Sequence, residues 1–326
     1  LVSVSANAAD LSVTGGASLS FAGEEKQLTG NGWSMNNGVT FKASVEQDNG
    51  WNITVTQILN DDDVGSDRVF DTRSLGIDMG DAGKLVYDDG CGTCYGSGTV
   101  DNVTPFVFEE ADDGLNYGAV EMPAMGNAFY YVAPEIMGSS ITVGLAPSGG
   151  QVDDGGNGGA GSGNTDEASI TLKNSTLVDG LTITAAMFEQ SGGDDTTQRV
   201  RTNTTGGGDV DAITGALSYA MGSFSVGYQM TEVAYQHGTN YMTDAWAISY
   251  NMSDNVSVGY TSVTSENQLS SATHVDAEYE GIGITYTMGP MAIKYVRNEG
   301  DNVNGLTAAS ATRDDEHQEL MVSITF

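Results

Sequence analysis

Residues 317–326 read His317-Gln318-Glu319-Leu320-Met321-Val322-Ser323-Ile324-Thr325-Phe326, alternating up to the last residue of the sequence. In an extended strand, side chains two apart share a face. Leu320, Val322, Ile324 and Phe326 therefore form one apolar surface, while Met321, Ser323 and Thr325 line the other. Such a strand leaves backbone donors and acceptors open along its edges, so the stretch predicts a sheet that it closes.

Outward from there the same period of two recurs, bounded by clusters of Gly, Asn, Asp and Ser. It predicts sixteen strands and no helix, near 10–22, 36–47, 51–59, 73–80, 84–89, 128–134, 140–146, 168–174, 181–190, 211–220, 224–235, 244–252, 256–265, 276–288, 291–298 and 316–326. The connections alternate in length. Asp48-Asn49-Gly50, Gly80-Asp81-Ala82-Gly83, Ala220-Met221-Gly222-Ser223, Ser253-Asp254-Asn255 and Gly289-Pro290 have the chemistry of tight hairpin turns. Between them lie long polar segments, of which 90–127 is the longest. Short turns at one rim and long loops at the other describe a transmembrane antiparallel β-barrel.

Composition agrees. The 326 residues include 44 Gly, 5 Pro and 2 Cys, and hydrophobic residues make up 39%. No run approaches the length of a membrane helix, but a barrel shows lipid only every second residue and keeps its inner face polar. The net charge of −33, from 44 acidic against 11 basic residues, excludes nucleic acid as a partner and attracts cations.

Face by face, Val39, Phe41, Ala43 and Val45 point outward and Thr40, Lys42 and Ser44 inward; Phe224, Val226 and Tyr228 oppose Ser225, Gly227 and Gln229 in the same way. Three hairpins repeat a tyrosine pair, Tyr219 with Tyr228, Tyr250 with Tyr260, and Tyr286 with Tyr295. At matched heights these rings form an interfacial girdle. A space enclosed by sixteen strands is too wide for side chains to fill.

The whole chain resembles the sixteen-stranded general diffusion porins of the Gram-negative outer membrane. The resemblance rests on the terminal Phe326, on Ser74-Leu75-Gly76-Ile77-Asp78-Met79-Gly80-Asp81-Ala82-Gly83-Lys84-Leu85-Val86-Tyr87, which is similar to the family's fourth and fifth strands, and on Thr104-Pro105-Phe106-Val107-Phe108. It implies that the third long loop, about 90–127, folds into the pore to narrow it. It also implies a homotrimer, with outer-membrane lipid and lipopolysaccharide around it and small hydrophilic solutes and cations passing through. Ala6-Asn7-Ala8 has the small-x-small form of a signal peptidase site, so residues 1–8 read as the remnant of an export signal and 9–326 as one barrel domain.

In that family, loop carboxylates face a basic cluster on the wall. Here the acids are Glu109, Glu110, Asp112 and Asp113, with Asp88 and Asp89 where many such porins carry Gly-Arg. Lys42 is the one base expected both inward and at mid-height; Lys84, Lys173 and Lys294 lie next to short turns, and Arg73 and Arg297 fall on the outward parity. The constriction is therefore expected to be negative and to prefer cations, less so as salt shortens the screening length.

The remaining motifs point to no enzyme. Cys91-Gly92-Thr93-Cys94 lacks the strand and helix context of a redox site and reads as a local loop disulfide. Asp61, Asp62, Asp63 and Asp67 offer oxygen ligands for calcium without the spacing of a helix-loop-helix calcium site; no other cofactor is expected. His237, His274 and His317 are far apart in sequence, and no Gly-x-Ser-x-Gly elbow occurs. Two other readings stay open at this point: a substrate-specific outer-membrane channel, and a secreted or surface-layer β protein with calcium-bound acidic loops.

Overall fold

A computed structural model of the chain describes residues 10–24, 32–60, 72–89, 94–115, 122–147, 166–191, 209–235, 240–267, 275–303 and 314–326. The readings made for residues 1–8, for Asp61, Asp62, Asp63 and Asp67, for Cys91 and for His237 and His274 lie outside the described residues. Sixteen strands pair antiparallel, each with its chain neighbours, and the first pairs with the last to close a barrel.

The strands are β1 (Asp10–Glu24), β2 (Trp33–Glu46), β3 (Asn52–Asn60), β4 (Thr72–Asp78), β5 (Lys84–Asp88), β6 (Ala128–Val132), β7 (Ser139–Ala146) and β8 (Asp166–Asn174). The second half comprises β9 (Leu181–Ser191), β10 (Val210–Met221), β11 (Phe224–Tyr235), β12 (Tyr241–Ser253), β13 (Val256–Asn267), β14 (Ala277–Met288), β15 (Met291–Asp301) and β16 (Asp315–Thr325). Number and order are those the sequence predicts. The differences lie mainly at the long-loop ends: β2 starts at Trp33, β12 at Tyr241, and β15 runs on to Asp301. There the strand is sustained by ladder hydrogen bonds to its neighbour, which polar residues make as well as apolar ones. Two short 3₁₀ turns, Gly80–Ala82 and Gly96–Val100, also go beyond the sequence expectation of no helix.

Closure is made at the seam anticipated from the last ten residues. Gly16 lies opposite Thr325 and Phe21 opposite Leu320. Phe326 N–H donates to the Gly15 carbonyl, and Gly15 N–H donates to that of Phe326, both at 2.8 Å. A Cβ on Gly15 would stand 2.9 Å from the Phe326 ring. That residue's lack of a side chain lets the ring lie over the seam.

The outer face is apolar and uncovered. Leu11 is 68% exposed, Met35 64% and Ile282 62%, and bulky apolar residues continue around the described strands. Tyr219, Tyr228, Tyr250, Tyr286 and Tyr295 are exposed on this face, all within a few residues of a short turn. Tyr250 stacks on Phe224 with ring centroids 4.4 Å apart, and Trp246 lies 5.2 Å from Tyr260. Burial on the inner face is uneven. In β10, β12 and β14 inward residues are buried toward the long-loop end, in strict alternation, while both faces are open near the short turns. In β1 to β3 the inward residues are open or half-open, with Ser20 the buried one among those described. Something covers one side of the interior and leaves the other free.

Candidate pore constriction

The covering element is the segment 94–115, which runs along the inner wall from β6 to β16. It begins at Cys94, which is disulfide-bonded, and at Tyr95, whose ring lies 5.4 Å from that of Tyr130 on β6. The 3₁₀ turn then packs Val100, with Met122 and Met125, against Val86, Tyr130, Phe188, Ala212 and Val233 of the wall. Farther on, Ala111 and Leu115 pack with Ala245, Val263 and Tyr279. Side chains expected to line a wetted lumen are here the floor of two apolar clusters. The alternation predicts their direction but not the loop that dries them.

Polar residues of the wall fix the loop's backbone. Gln229 of β11 is fully buried; its Oε1 accepts from Val103 N–H at 2.8 Å and its Nε2 donates to the Asp101 carbonyl at 2.8 Å. Thr285 of β14 donates to the Val107 carbonyl at 3.1 Å. Asn298 of β15, also fully buried, donates to the carbonyls of Glu110 and Asp113 at 2.7 and 3.0 Å. Each bond satisfies a loop carbonyl or amide that would otherwise be stranded on a dry wall, at roughly 1–3 kcal/mol apiece. Glycines supply the clearance. A Cβ on Gly227 would stand 2.6 Å from Pro105, and one on Gly259 2.5 Å from Val107.

The acids expected at the constriction divide. Glu109, Glu110, Asp112 and Asp113 are all on this loop. Asp113 is exposed, and its Oδ2 accepts from Glu110 N–H at 3.0 Å. Asp112 is buried at 4% exposure. Burial, then the charges of Asp112, Asp101 and Asp113, pushes Glu110 up to about 10, so its carboxyl keeps a proton at neutral pH. Glu109 is pushed up to about 7 by burial and by Glu319 and Asp113, with His317 opposing. Asp88 is buried on the inward parity of β5. Asp89 pairs with Arg73, whose neighbour across β3 is Gln57 on the outward parity.

The bases also differ from the sequence reading. Lys42 faces inward, across from Ser12 and Thr56, and is exposed. Lys84 and Lys294 were expected to remain at the short-turn mouth, yet both reach the loop. The Lys84 ammonium lies 5.6 Å from the Tyr95 ring centroid and that of Lys294 lies 5.2 Å from Phe108. Their four-carbon stems span the distance and an aromatic face holds the charge. Sequence reasoning also leaves out the partners of Glu109. His317 and Glu319 share the inward face of β16 and approach it at the loop's far end. Their spacing of two in a strand was the available signal, but only the loop's path supplies the third member.

The free path therefore runs between this loop and the inward residues of β1 to β3, which are small and polar: Ser12, Thr14, Asn36, Thr40, Ser44, Thr54 and Thr56, with Lys42 among them.

No protein-family profile matches the chain, and no curated protein does. Solved structures do. An anion-selective porin from Comamonas acidovorans superposes with a TM-score of 0.69 at 12% identity, covering 98% of this chain and 100% of that one. The porin OmpF of Salmonella typhi, in complex with daunomycin, gives 0.69 at 13% identity, over 97% of each chain. The trimer form of OmpT, an outer membrane protein of Vibrio cholerae, gives 0.68 at 14% identity, over 98% and 100%. The likeness spans nearly the whole length in every case, and with the strand order it establishes that this chain has the sixteen-stranded porin fold.

Proposed function

We propose that this chain is a porin of a Gram-negative outer membrane, a passive channel for small hydrophilic solutes and ions that prefers cations. The observation that carries the reading is the pairing of an uncovered apolar exterior with a polar path inside. Leu11, Met35, Trp33 and Ile282 outside would each stand in water in a soluble protein, whereas lipid covers such a band at no cost. Inside, Ser12, Thr14, Thr40 and Lys42 face a space that the loop narrows.

The cation preference rests on fewer groups than the sequence count offers. Glu110 is neutral, Asp88 and Asp112 are buried and Asp89 is paired with Arg73. That leaves Asp113, Glu319 and, at higher pH, Glu109 against Lys42, Lys84 and Lys294. The excess of acid over the whole chain adds to the attraction, because low-dielectric walls focus it along the lumen.

A homotrimer is supported by the trimeric neighbour and by the small outward residue Ala17 of β1, which permits a close contact. Lipid and lipopolysaccharide are the partners expected at the apolar belt. A soluble surface-layer protein is disfavoured by that same belt.

Reconstitution into planar bilayers tests the proposal. Discrete conductance steps, with a zero-current potential in a KCl gradient that has the sign of K⁺ permeation, are expected. A protein that inserts and stays silent would refute the channel, and a Cl⁻-signed potential would refute the preference alone. Block by one solute that saturates at low concentration would instead favour a substrate-specific channel.

A further inference from the structure

The place where the loop meets β16 holds a set of donors that the channel reading uses only as charges. Glu109 of the loop and His317 and Glu319 of β16 each present one ligand atom, all within 4.8 Å of one another. His317 Nε2 is 4.0 Å from the Glu109 carboxylate and 3.7 Å from that of Glu319. Ligand atoms around a tetrahedral ion with bonds of about 2.1 Å stand about 3.4 Å apart, so a movement of about half an ångström would bring these groups onto one ion.

The donors are held in place. The His317 side chain is only 5% exposed, and the backbone of Gly114, with φ +74, lies against its ring so closely that any Cβ there would collide with the imidazole. Asn298 ties down the loop backbone just ahead of that glycine through the carbonyls of Glu110 and Asp113. Glu319 is in hydrogen-bonding contact with His317, with Ser20 of β1 and with Glu109. Groups anchored from three elements converge on one point. Two carboxyl groups facing each other across an imidazole need a proton or a cation between them.

We infer that Glu109, His317 and Glu319 form a binding site for a divalent first-row transition-metal ion that pins the constriction loop to the barrel wall. The chemistry selects the class: imidazole with two carboxylates suits zinc-like ions, whereas magnesium and calcium take all-oxygen shells. Three protein ligands leave a position for lumen water. The inference deepens the channel reading, because an ion there adds two positive charges to a path whose negative groups are few.

Zinc is the probe. Titration calorimetry of the detergent-folded full chain is expected to show saturable Zn²⁺ binding that a similar concentration of Mg²⁺ does not reproduce. Affinity should fall by at least about tenfold in His317→Gln and in Glu109→Gln. The second variant changes only a loop residue, so it remains informative if the β16 change prevents folding. Zn²⁺ binding that is absent, or unchanged in Glu109→Gln, would overturn the site. In bilayers, micromolar Zn²⁺ should shift the zero-current potential of the native protein away from K⁺ preference and leave that of Glu109→Gln in place; equal shifts in both would overturn the assignment. A bilayer with no conductance would count against the channel reading, and the titration would still decide the site.

Discussion

At the scale of single residues, the charge of the constriction is set by environment more than by composition. Glu109 and Glu110 are adjacent in sequence and carry the same group, but one is pushed up to about 7 and the other to about 10. Burial raises both, more strongly Glu110, which also meets the charges of Asp112 and Asp101, while Glu109 meets Glu319 with His317 in opposition. A carboxyl with a raised folded pKa is neutral below it and charged above it, so the lumen gains negative charge as pH rises through about 7. The zero-current potential in a KCl gradient should therefore move toward stronger K⁺ preference between acid and mildly alkaline pH. Glu109→Gln should flatten that profile, and Glu110→Gln should leave it close to native at neutral pH. A native profile without pH dependence across this range would contradict the placement of Glu109. By the same sign, docking of the loop at this point is most favourable at acid pH and weakens as Glu109 ionises beside Glu319 and Asp113.

At the scale of elements, the loop 94–115 and the wall it lies on are a matched pair. Gly227 and Gly259 leave the room that Pro105 and Val107 occupy, and Gln229, Thr285 and Asn298 supply the bonds. A valine at position 259 cannot share that space, and overpacking of this kind costs about 1–3 kcal/mol. The expected result of Gly259→Val is a barrel that still folds, with the loop displaced and single-channel conductance increased. Gly215→Val is the comparison, because a Cβ there meets nothing within 4 Å. Conductance that stays native in Gly259→Val would mean that the loop does not set the width.

At the scale of the whole molecule, the distribution of acids on the outside has a thermodynamic consequence. Glu189 faces Asp211 across β9 and β10, and Glu278 faces Asp301 across β14 and β15, all on outward parity near the long-loop rim. Like charges directly opposed in a sheet are unfavourable by roughly 0.2–1 kcal/mol per pair. Arg297 relieves a neighbouring set by pairing with Glu299 at 2.7 Å and with Glu316 at 2.9 Å, but Arg297 and Arg73 are the arginines on the described outward surface. Millimolar Mg²⁺ should accordingly raise the unfolding temperature of the detergent-folded protein more than KCl of equal ionic strength, and Glu189→Gln should reduce the difference. Equal effects of the two salts would show that the rim acids do not interact appreciably.

The sequence by itself determined the sixteen strands, their order and most of their faces, because lipid on one side and water on the other write a period of two into every strand and a one-residue slip would invert it. It determined also which rim carries short turns, since Gly, Asn and Asp mark them locally. Only the tertiary structure decided what the interior contains. Whether Val86 and Phe188 meet water or a loop, and whether His317 lies alone or beside two carboxylates, depend on the path of residues 94–115 across the barrel. That path is fixed by contacts between segments as much as 188 residues apart, and no local pattern encodes contacts of that range.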